Sequence, residues 1–196
     1  MSENLASVFS AVSFAEFMAV FLAVIYLVLA IKQNIYCWLA AFLSSVLYIG
    51  IFSSVQLYME SILQIFYVVM AIYGWYQWRH GIKRDVGIKI NTWRIRKHVI
   101  VIMIIGTFSW LFGWIMSHTE SVFPFLDAFT TIGAVVATFM VARKVLENWI
   151  YWFIIDCVSI YLYLSRELYF TALLFLIYIF LIVIGLRTWW REYRES

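Results

Sequence analysis

The chain has 196 residues, of which 65% are hydrophobic, 20% aromatic and 13% charged, about half the charged share of an ordinary soluble domain. With one Pro, eight Gly and a mean hydropathy of +0.92, this composition excludes a water-soluble globule, a disordered chain and a low-complexity polymer. A polytopic membrane protein remains: at about 20 apolar residues per spanning helix, roughly seven or eight spans use up the length and leave no room for a soluble catalytic domain.

In chain order, the N-terminus MSENLASVFS lacks the basic start of a cleavable signal peptide, so the first apolar run is expected to stay as an anchor. Apolar stretches fall at 13–31, 36–54, 57–79, 98–117, 122–142, 149–165 and 168–190. All seven read as helices, because open sheet edges cannot sit in lipid and barrel strands would alternate. Breaks such as Lys32-Gln33-Asn34 and Arg143-Lys144 separate them, and the one long loop, Arg79 to His98, holds Arg79, Lys83, Arg84, Lys89, Arg94, Arg96 and Lys97 against a single Asp85. Trp93 in that loop reads as an interfacial anchor.

Seven spans put the N-terminus, the 55–57 turn, the 118–121 loop and the 166–167 turn on one side. That side carries one Lys or Arg, Arg166, and the other carries thirteen. The positive-inside rule then sets the N-terminus outside and the C-terminus in the cytoplasm, and it accounts for the basic loop without a nucleic-acid partner. Cys37 and Cys157 both lie inside apolar runs, where structural thiols are expected rather than a disulfide.

A shift of 111 residues superimposes the two halves without a gap: between 14–78 and 125–189, 13 of 65 positions are identical. Trp38 falls on Trp149, Tyr58 on Tyr169, Tyr67 on Tyr178, Gly74 on Gly185 and Trp78 on Trp189, while Glu16 pairs with Asp127 and Lys32 with Arg143. This is an internal duplication. Directly joined three-helix copies would be inverted, and the helix at 98–117 adds the crossing that makes them parallel. The expected fold is an all-α integral membrane protein with seven transmembrane helices, two parallel three-helix repeats joined by a linker helix. Its divisions are 1–79, a basic loop and linker helix at 80–121, and 122–196. Parallel repeats are a transporter plan with substrate at the repeat interface near the midplane.

Polar groups inside a span are costly and are therefore candidates for function. Asn148, Trp152, Asp156, Ser159 and Tyr163 recur at spacings of four and three, which puts an amide, an indole, a carboxylate, a hydroxyl and a phenol on one helical stripe that cannot face lipid. On the third helix Glu60, Gln64 and Tyr67 form a second stripe, with Gly74 further on where two backbones are expected to approach. Aromatic faces beside carboxylates suit a flat, cationic, hydrogen-bonding solute. Belt anchoring at the ends of spans accounts for Trp38, Trp149, Trp78, Trp189, Trp190, Tyr36 and Tyr151; Trp152, one turn deeper, does not fit that role. Glu16 and Asp127 open their helices near the outer surface, where a gating, structural or dipole role is expected.

Enzyme readings find no residues. His80, His98 and His118 lie at span ends and no HExxH or Cys/His cluster occurs, so no metal, cofactor or catalytic residue is expected. Asp127 and Asp156 sit at different depths and cannot share a proton. A retinal-type protein needs a lysine in the last span, and the last lysine here is Lys144.

Several segments carry a resemblance: Gln56-Leu57-Tyr58 with Leu63-Gln64, Tyr73-Gly74-Trp75-Tyr76-Gln77-Trp78, Phe123-Pro124-Phe125 with Asp127, and Glu147-Asn148-Trp149 with Trp152 and Ile155-Asp156. Together, and over nearly the whole chain, they resemble the PnuC-type vitamin transporters, bacterial nicotinamide riboside permeases distantly related to the SWEET sugar carriers. The resemblance implies a homotrimer in the bacterial inner membrane, one pathway per protomer, facilitated diffusion with alternating access, and trapping by a cytoplasmic vitamin kinase. It also implies substrate contacts from Asn148, Trp152 and a glutamine of the third helix, either Gln64 or Gln77, with Gln64 nearer mid-membrane. Asp156 stands where some members look like having Asn, and Glu60 where some have Ser. The expected substrate is thus a cationic aromatic vitamin, nicotinamide riboside first and thiamine second. The added acids argue against neutral riboflavin. A receptor or scaffold without transport is the alternative of a different class.

Overall fold

The computed structural model describes residues 2–54, 58–81, 88–119 and 122–195, with the backbone alone at 2–13, 58, 59 and 170. Gln56 and Leu57 in the 55–57 turn, the charges Lys83, Arg84 and Asp85, residues 120–121 of the outer loop and the Tyr58 side chain lie outside the described residues. The described chain is helical: α1 (Ser2–Ile31), α2 (Cys37–Ser54), α3 (Tyr58–His80), α4 (Ile95–Met116), α5 (Pro124–Ala142), α6 (Asn148–Ser165) and α7 (Tyr169–Glu195). It is an integral membrane protein of two three-helix repeats joined by a linker helix. Among the described residues, five of the seven helices contain a stretch long and apolar enough to cross a membrane on length and composition. The two others, α3 and α6, are those that carry the polar stripes.

The helices overrun the apolar stretches because nothing stops them. No Gly or Pro precedes residue 13, so α1 extends back to Ser2, and α7 continues through Arg187, Arg191 and Arg194 to Glu195. α4 begins at Ile95, which places Arg96, Lys97 and His98 on its first turn and shortens the basic loop. At α5 the start is set by Pro124 in the first helical position, where the missing N–H costs nothing.

Two compact units divide the chain, Met1–Ile88 and Lys89–Ser196. In the first, α2 packs against both α1 and α3; Ser44 Oγ donates to the Ala19 carbonyl at 2.8 Å across the α1–α2 contact. In the second, α5 packs against α4 and α6, and α6 against α7. Small side chains let α5 serve two neighbours: Ala128, Gly133, Ala134 and Ala137 are all buried on it, and small residues permit close helix approach in lipid. The segment before α4 is pinned to this unit. Asn91 N–H donates to the Lys144 carbonyl at 3.0 Å, the Asn91 carbonyl accepts from Leu146 N–H at 2.8 Å, and Asn91 Nδ2 reaches the Arg143 carbonyl at 2.7 Å.

The duplication survives at the level of single hydrogen bonds. α1 ends with Asn34 N–H bonded to the Leu29 carbonyl and Gln33 N–H to that of Ala30; α5 ends with Val145 N–H bonded to Met140 and Lys144 N–H to Val141. Each bond maps onto its counterpart by the shift of 111. This is a Schellman ending with a left-handed residue just past the helix, and here it is Gln33 (φ 51) and Lys144 (φ 48).

A tryptophan on the second helix of each repeat sits against a glycine on the third. A Cβ on Gly185 would lie 2.6 Å from the Trp149 ring, and one on Gly74 would overlap the Trp38 ring. Trp78 closes on Trp38 edge-on at 5.5 Å, and Trp189 on Trp149 at 5.4 Å. Trp38, Trp149, Trp78 and Trp189 are 2%, 1%, 6% and 0% exposed. Two expectations are thereby corrected: these four indoles are core rather than membrane belt, and what approaches Gly74 is a ring rather than a backbone. Trp190 and Tyr36, by contrast, are both exposed.

Gly74→Ala and Gly185→Ala should each destabilise the protein by about 1–3 kcal/mol through overpacking, read as a lower melting temperature in detergent. Gly106→Ala on α4 is the control, since a Cβ there meets nothing within 4 Å, and it should melt at or above the parent temperature.

Candidate functional site

In the first unit α3 holds the expected polar residues. Glu60 is exposed, Gln64, Tyr67 and Gln77 are half-buried, and Gly74 is buried beneath Trp38. The two candidate glutamines differ in their surroundings. Gln77 Nε2 donates to Tyr73 Oη at 3.0 Å, whereas Gln64 has no hydrogen-bond partner among the described residues. Glu16 on α1 is exposed.

In the second unit the stripe on α6 is largely interior. Asn148 is 0% exposed, Asp156 3% and Ser159 6%, while Trp152 and Tyr163 are half-buried. Asn148 opens the helix, where its Nδ2 donates to the Val145 carbonyl at 2.7 Å and its Oδ1 is buried without a hydrogen-bond partner among the described residues. The Nε1 of Trp149, like that of Trp38 in the first unit, is also buried and unsatisfied. Asp156, two turns along from Asn148, has neither a hydrogen bond nor an ion pair among the described residues. A buried polar atom without a partner costs about 1–3 kcal/mol, more if charged, so this helix holds groups that call for a partner from outside the chain. Tyr163 packs on Phe175 at 5.0 Å, and Phe175 on Tyr178 at 5.4 Å.

Asp127 on α5 is not a lone helix-start carboxylate. Its Oδ2 lies 2.6 Å from Arg166 Nη2, just past the end of α6; this pairs one of the outer acids with the single cation expected on that side.

One constellation was not legible in the sequence. His98 Nδ1 hydrogen-bonds Tyr151 Oη at 3.0 Å, its Nε2 lies 3.7 Å from Glu147 Oε1, and Glu147 Oε2 accepts from the Trp93 N–H at 3.4 Å. Lys97 lies over the Trp93 ring, 5.8 Å from its centroid. Trp93, expected as an interfacial anchor, is thus held within a polar cluster at the starts of α4 and α6. The signal was the basic loop itself, whose fold-back through Asn91 brings these residues together. Beside the cluster a groove of about 470 Å³ opens between α4 and α6 over α5. It holds none of the residues expected to contact substrate. Among the described residues no cluster of His, Cys, Asp and Glu could hold a metal ion.

Buried polar groups on a spanning helix, within a membrane fold built from a duplicated three-helix unit, define a small-solute carrier. Residues 13–191 match the family described as Nicotinamide mononucleotide transporter, and the chain belongs to this family of PnuC-type vitamin transporters. It is 29% identical over 180 residues to the riboflavin/roseoflavin transporter RibM of Streptomyces davaonensis, covering 89% of this chain and 84% of that protein. To the nicotinamide riboside transporter PnuC of Escherichia coli it is 26% identical over 171 residues, covering 74% of this chain and 72% of that protein. The crystal structure of the vitamin B3 transporter PnuC shares the fold, with a TM-score of 0.76 at 20% identity over 98% of this chain and 87% of that one.

The Asp127–Arg166 pair is partly exposed, 22% and 32% at the side chains, so solvent screening keeps its contribution small. A double-mutant cycle of Asp127→Asn and Arg166→Gln, read by thermal unfolding, should give a coupling of about 0.2–1 kcal/mol.

Proposed function

We propose that this protein takes up a cationic aromatic vitamin, nicotinamide riboside, across the bacterial inner membrane. Asp156 is the observation that carries the reading: a carboxyl group 3% exposed within α6 and without a partner among the described residues. A carboxylate held in a span is costly unless something neutralises it, and a pyridinium ring would supply the charge. The free Oδ1 of Asn148 suits an amide or hydroxyl donor on the same solute, and Trp152 offers a face on which the ring cation can stack. Ser159 and Tyr163 extend the stripe with hydroxyl groups. On α3, Glu60, Gln64 and Tyr67 are assigned to substrate as well. Gln64 is preferred over Gln77 because Gln77 is engaged with Tyr73.

Transport in this reading is passive, with alternating access, and a cytoplasmic vitamin kinase traps the product by phosphorylation. The protein works as a homotrimer, with the N-terminus outside; the thirteen-to-one distribution of Lys and Arg supports that orientation. Glu16 and Asp127 hold or gate the outer end. Riboflavin is the second reading, favoured by the 29% identity to a relative named as a riboflavin/roseoflavin transporter. Charge separates the two, since the flavin ring is neutral.

Calorimetry of the purified protein should find nicotinamide riboside bound more tightly than thiamine, and both more tightly than riboflavin. Trp152→Ala should lose about 1–2 kcal/mol, some five- to thirtyfold in affinity. Asp156→Asn and Glu60→Gln should weaken the cations and spare riboflavin, because Coulomb attraction is lost while hydrogen bonding persists. Tight riboflavin binding, with nicotinamide riboside indifferent to Asp156→Asn, would establish the flavin reading instead. No saturable binding of any of the three would point to a receptor or scaffold.

Proteoliposomes test the energetics. Without an enclosed kinase the protein should equilibrate the vitamin and show no accumulation under an imposed pH gradient; with kinase and ATP inside it should accumulate the phosphorylated product. Gradient-driven accumulation abolished by Asp156→Asn would make it a proton-coupled carrier.

A further inference from the structure

The groove between α4 and α6 has the polarity profile of a phospholipid. Ile102, Ile105 and Gly106 of α4 form one wall, Ile150 and Ile154 of α6 the other, and Phe129 and Gly133 of α5 the floor. Polarity is confined to one end, where His98, Glu147 and Tyr151 line it. From His98 to Gly106 it follows α4 for about 12 Å at 1.5 Å per residue. Beside the polar end stand Arg94, which precedes α4, and Arg96 and Lys97 on its first turn, all exposed, and Glu147 is the carboxylate that lines the groove. Gly106 has no packing duty: a Cβ there meets nothing within 4 Å, unlike Gly74 and Gly185, so its effect is to keep the groove open.

We propose that this groove binds an anionic glycerophospholipid, with an acyl chain between α4 and α6 and the phosphate at the Arg94–Lys97 rim. An apolar slot of this length on a membrane protein meets acyl chains before anything else, and it gains nothing from water. Headgroup selection follows from the rim. Three cations against one carboxylate attract a phosphodiester with net negative charge over a zwitterion, as basic residues near the bilayer surface do for anionic lipids. The Tyr151 hydroxyl and the His98 ring lie where glycerol ester and phosphate oxygens would fall. The lipid would occupy space that the helices leave, since α4 packs along α5 and reaches α6 through the His98–Tyr151 hydrogen bond at the polar end. The site is separate from Asn148, Trp152 and Asp156, and it stands whether or not these residues bind a vitamin.

Native mass spectrometry of the full-length protein, titrated with phosphatidylglycerol and phosphatidylethanolamine of identical chains, tests the assignment. The parent protein should retain one phosphatidylglycerol per protomer in preference to phosphatidylethanolamine. Gly106→Leu adds its bulk from a position where a Cβ meets nothing within 4 Å and should lower retention of both lipids at least tenfold. Arg96→Gln with Lys97→Gln should keep phosphatidylethanolamine binding and reduce the phosphatidylglycerol preference by about fivefold per charge removed. Unchanged lipid retention in folded Gly106→Leu overturns the proposal, and so does an unchanged preference in the rim variant, which does not touch the apolar slot. A smaller oligomer in Gly106→Leu with lipid adducts intact would assign the groove to a second copy of the chain and overturn it too.

Discussion

Lipid gives two apolar helices little reason to prefer each other over acyl chains, so a membrane fold depends on close-packed shapes. Here the decisive shape is an indole lying on a glycine. In each repeat the tryptophan at the start of the second helix occupies the room that a missing side chain leaves on the third, and a second tryptophan closes over it edge-on. Edge-to-face aromatic pairs add about 0.5–1.5 kcal/mol beyond the area they bury. The glycine makes the fit selective, because any Cβ at Gly185 would come within 2.6 Å of the ring. With the third helix fixed on the second in this way, the second helix has one face committed and must turn its remaining residues elsewhere.

On α6 that commitment sorts the side chains. Trp149 goes to α7 and Ile155 to α5, where it meets Gly133. Asn148, Asp156 and Ser159 are carried into the interior by the same helical turn. A helix with partnerless polar atoms inside a span is unstable in isolation, and it persists because its neighbours are held firmly. The structural economy of the repeat thus supports a buried polar stripe that could not pack well by itself. The first repeat departs from it at the same register: where α6 has Asn148, α2 has Cys37, and where α6 has Asp156, α2 has Ser45. One scaffold therefore carries its polar stripe on α6 in one copy and on α3 in the other.

Much of this was legible in the sequence, for definable reasons. The duplication could be read because seats and plugs are rare residue types: Trp38, Gly74 and Trp78 recur as Trp149, Gly185 and Trp189, and each glycine follows its tryptophan by 36 residues. The α6 stripe could be read because helical periodicity alone puts Asn148, Asp156 and Ser159 on one side. The burial of the four tryptophans could not, since a tryptophan near the end of a span looks the same whether it faces headgroups or a glycine. The distinguishing fact is the partner on another helix. The His98, Tyr151 and Glu147 cluster was beyond reach for a related reason: Glu147 and Tyr151 follow His98 by 49 and 53 positions, and their meeting depends on Asn91 bonding to the α5–α6 turn.

That bonding of Asn91 also bears on how the chain is made. Ribosomes deliver the N-terminal unit first, and domains generally fold as they emerge. Within the first unit α2 packs against α1 and α3, and all three precede Asn91. The segment at Asn91 and the helix after it are different: their carbonyl and amide partners at Arg143, Lys144 and Leu146 are synthesised some fifty residues later. During biogenesis α4 must therefore cross the bilayer and wait there with α5 as its packing partner, until the α5–α6 turn arrives to fasten its start. Assembly is asymmetric although the architecture is duplicated, and the vulnerable interval falls on the one helix that has no counterpart in the repeat.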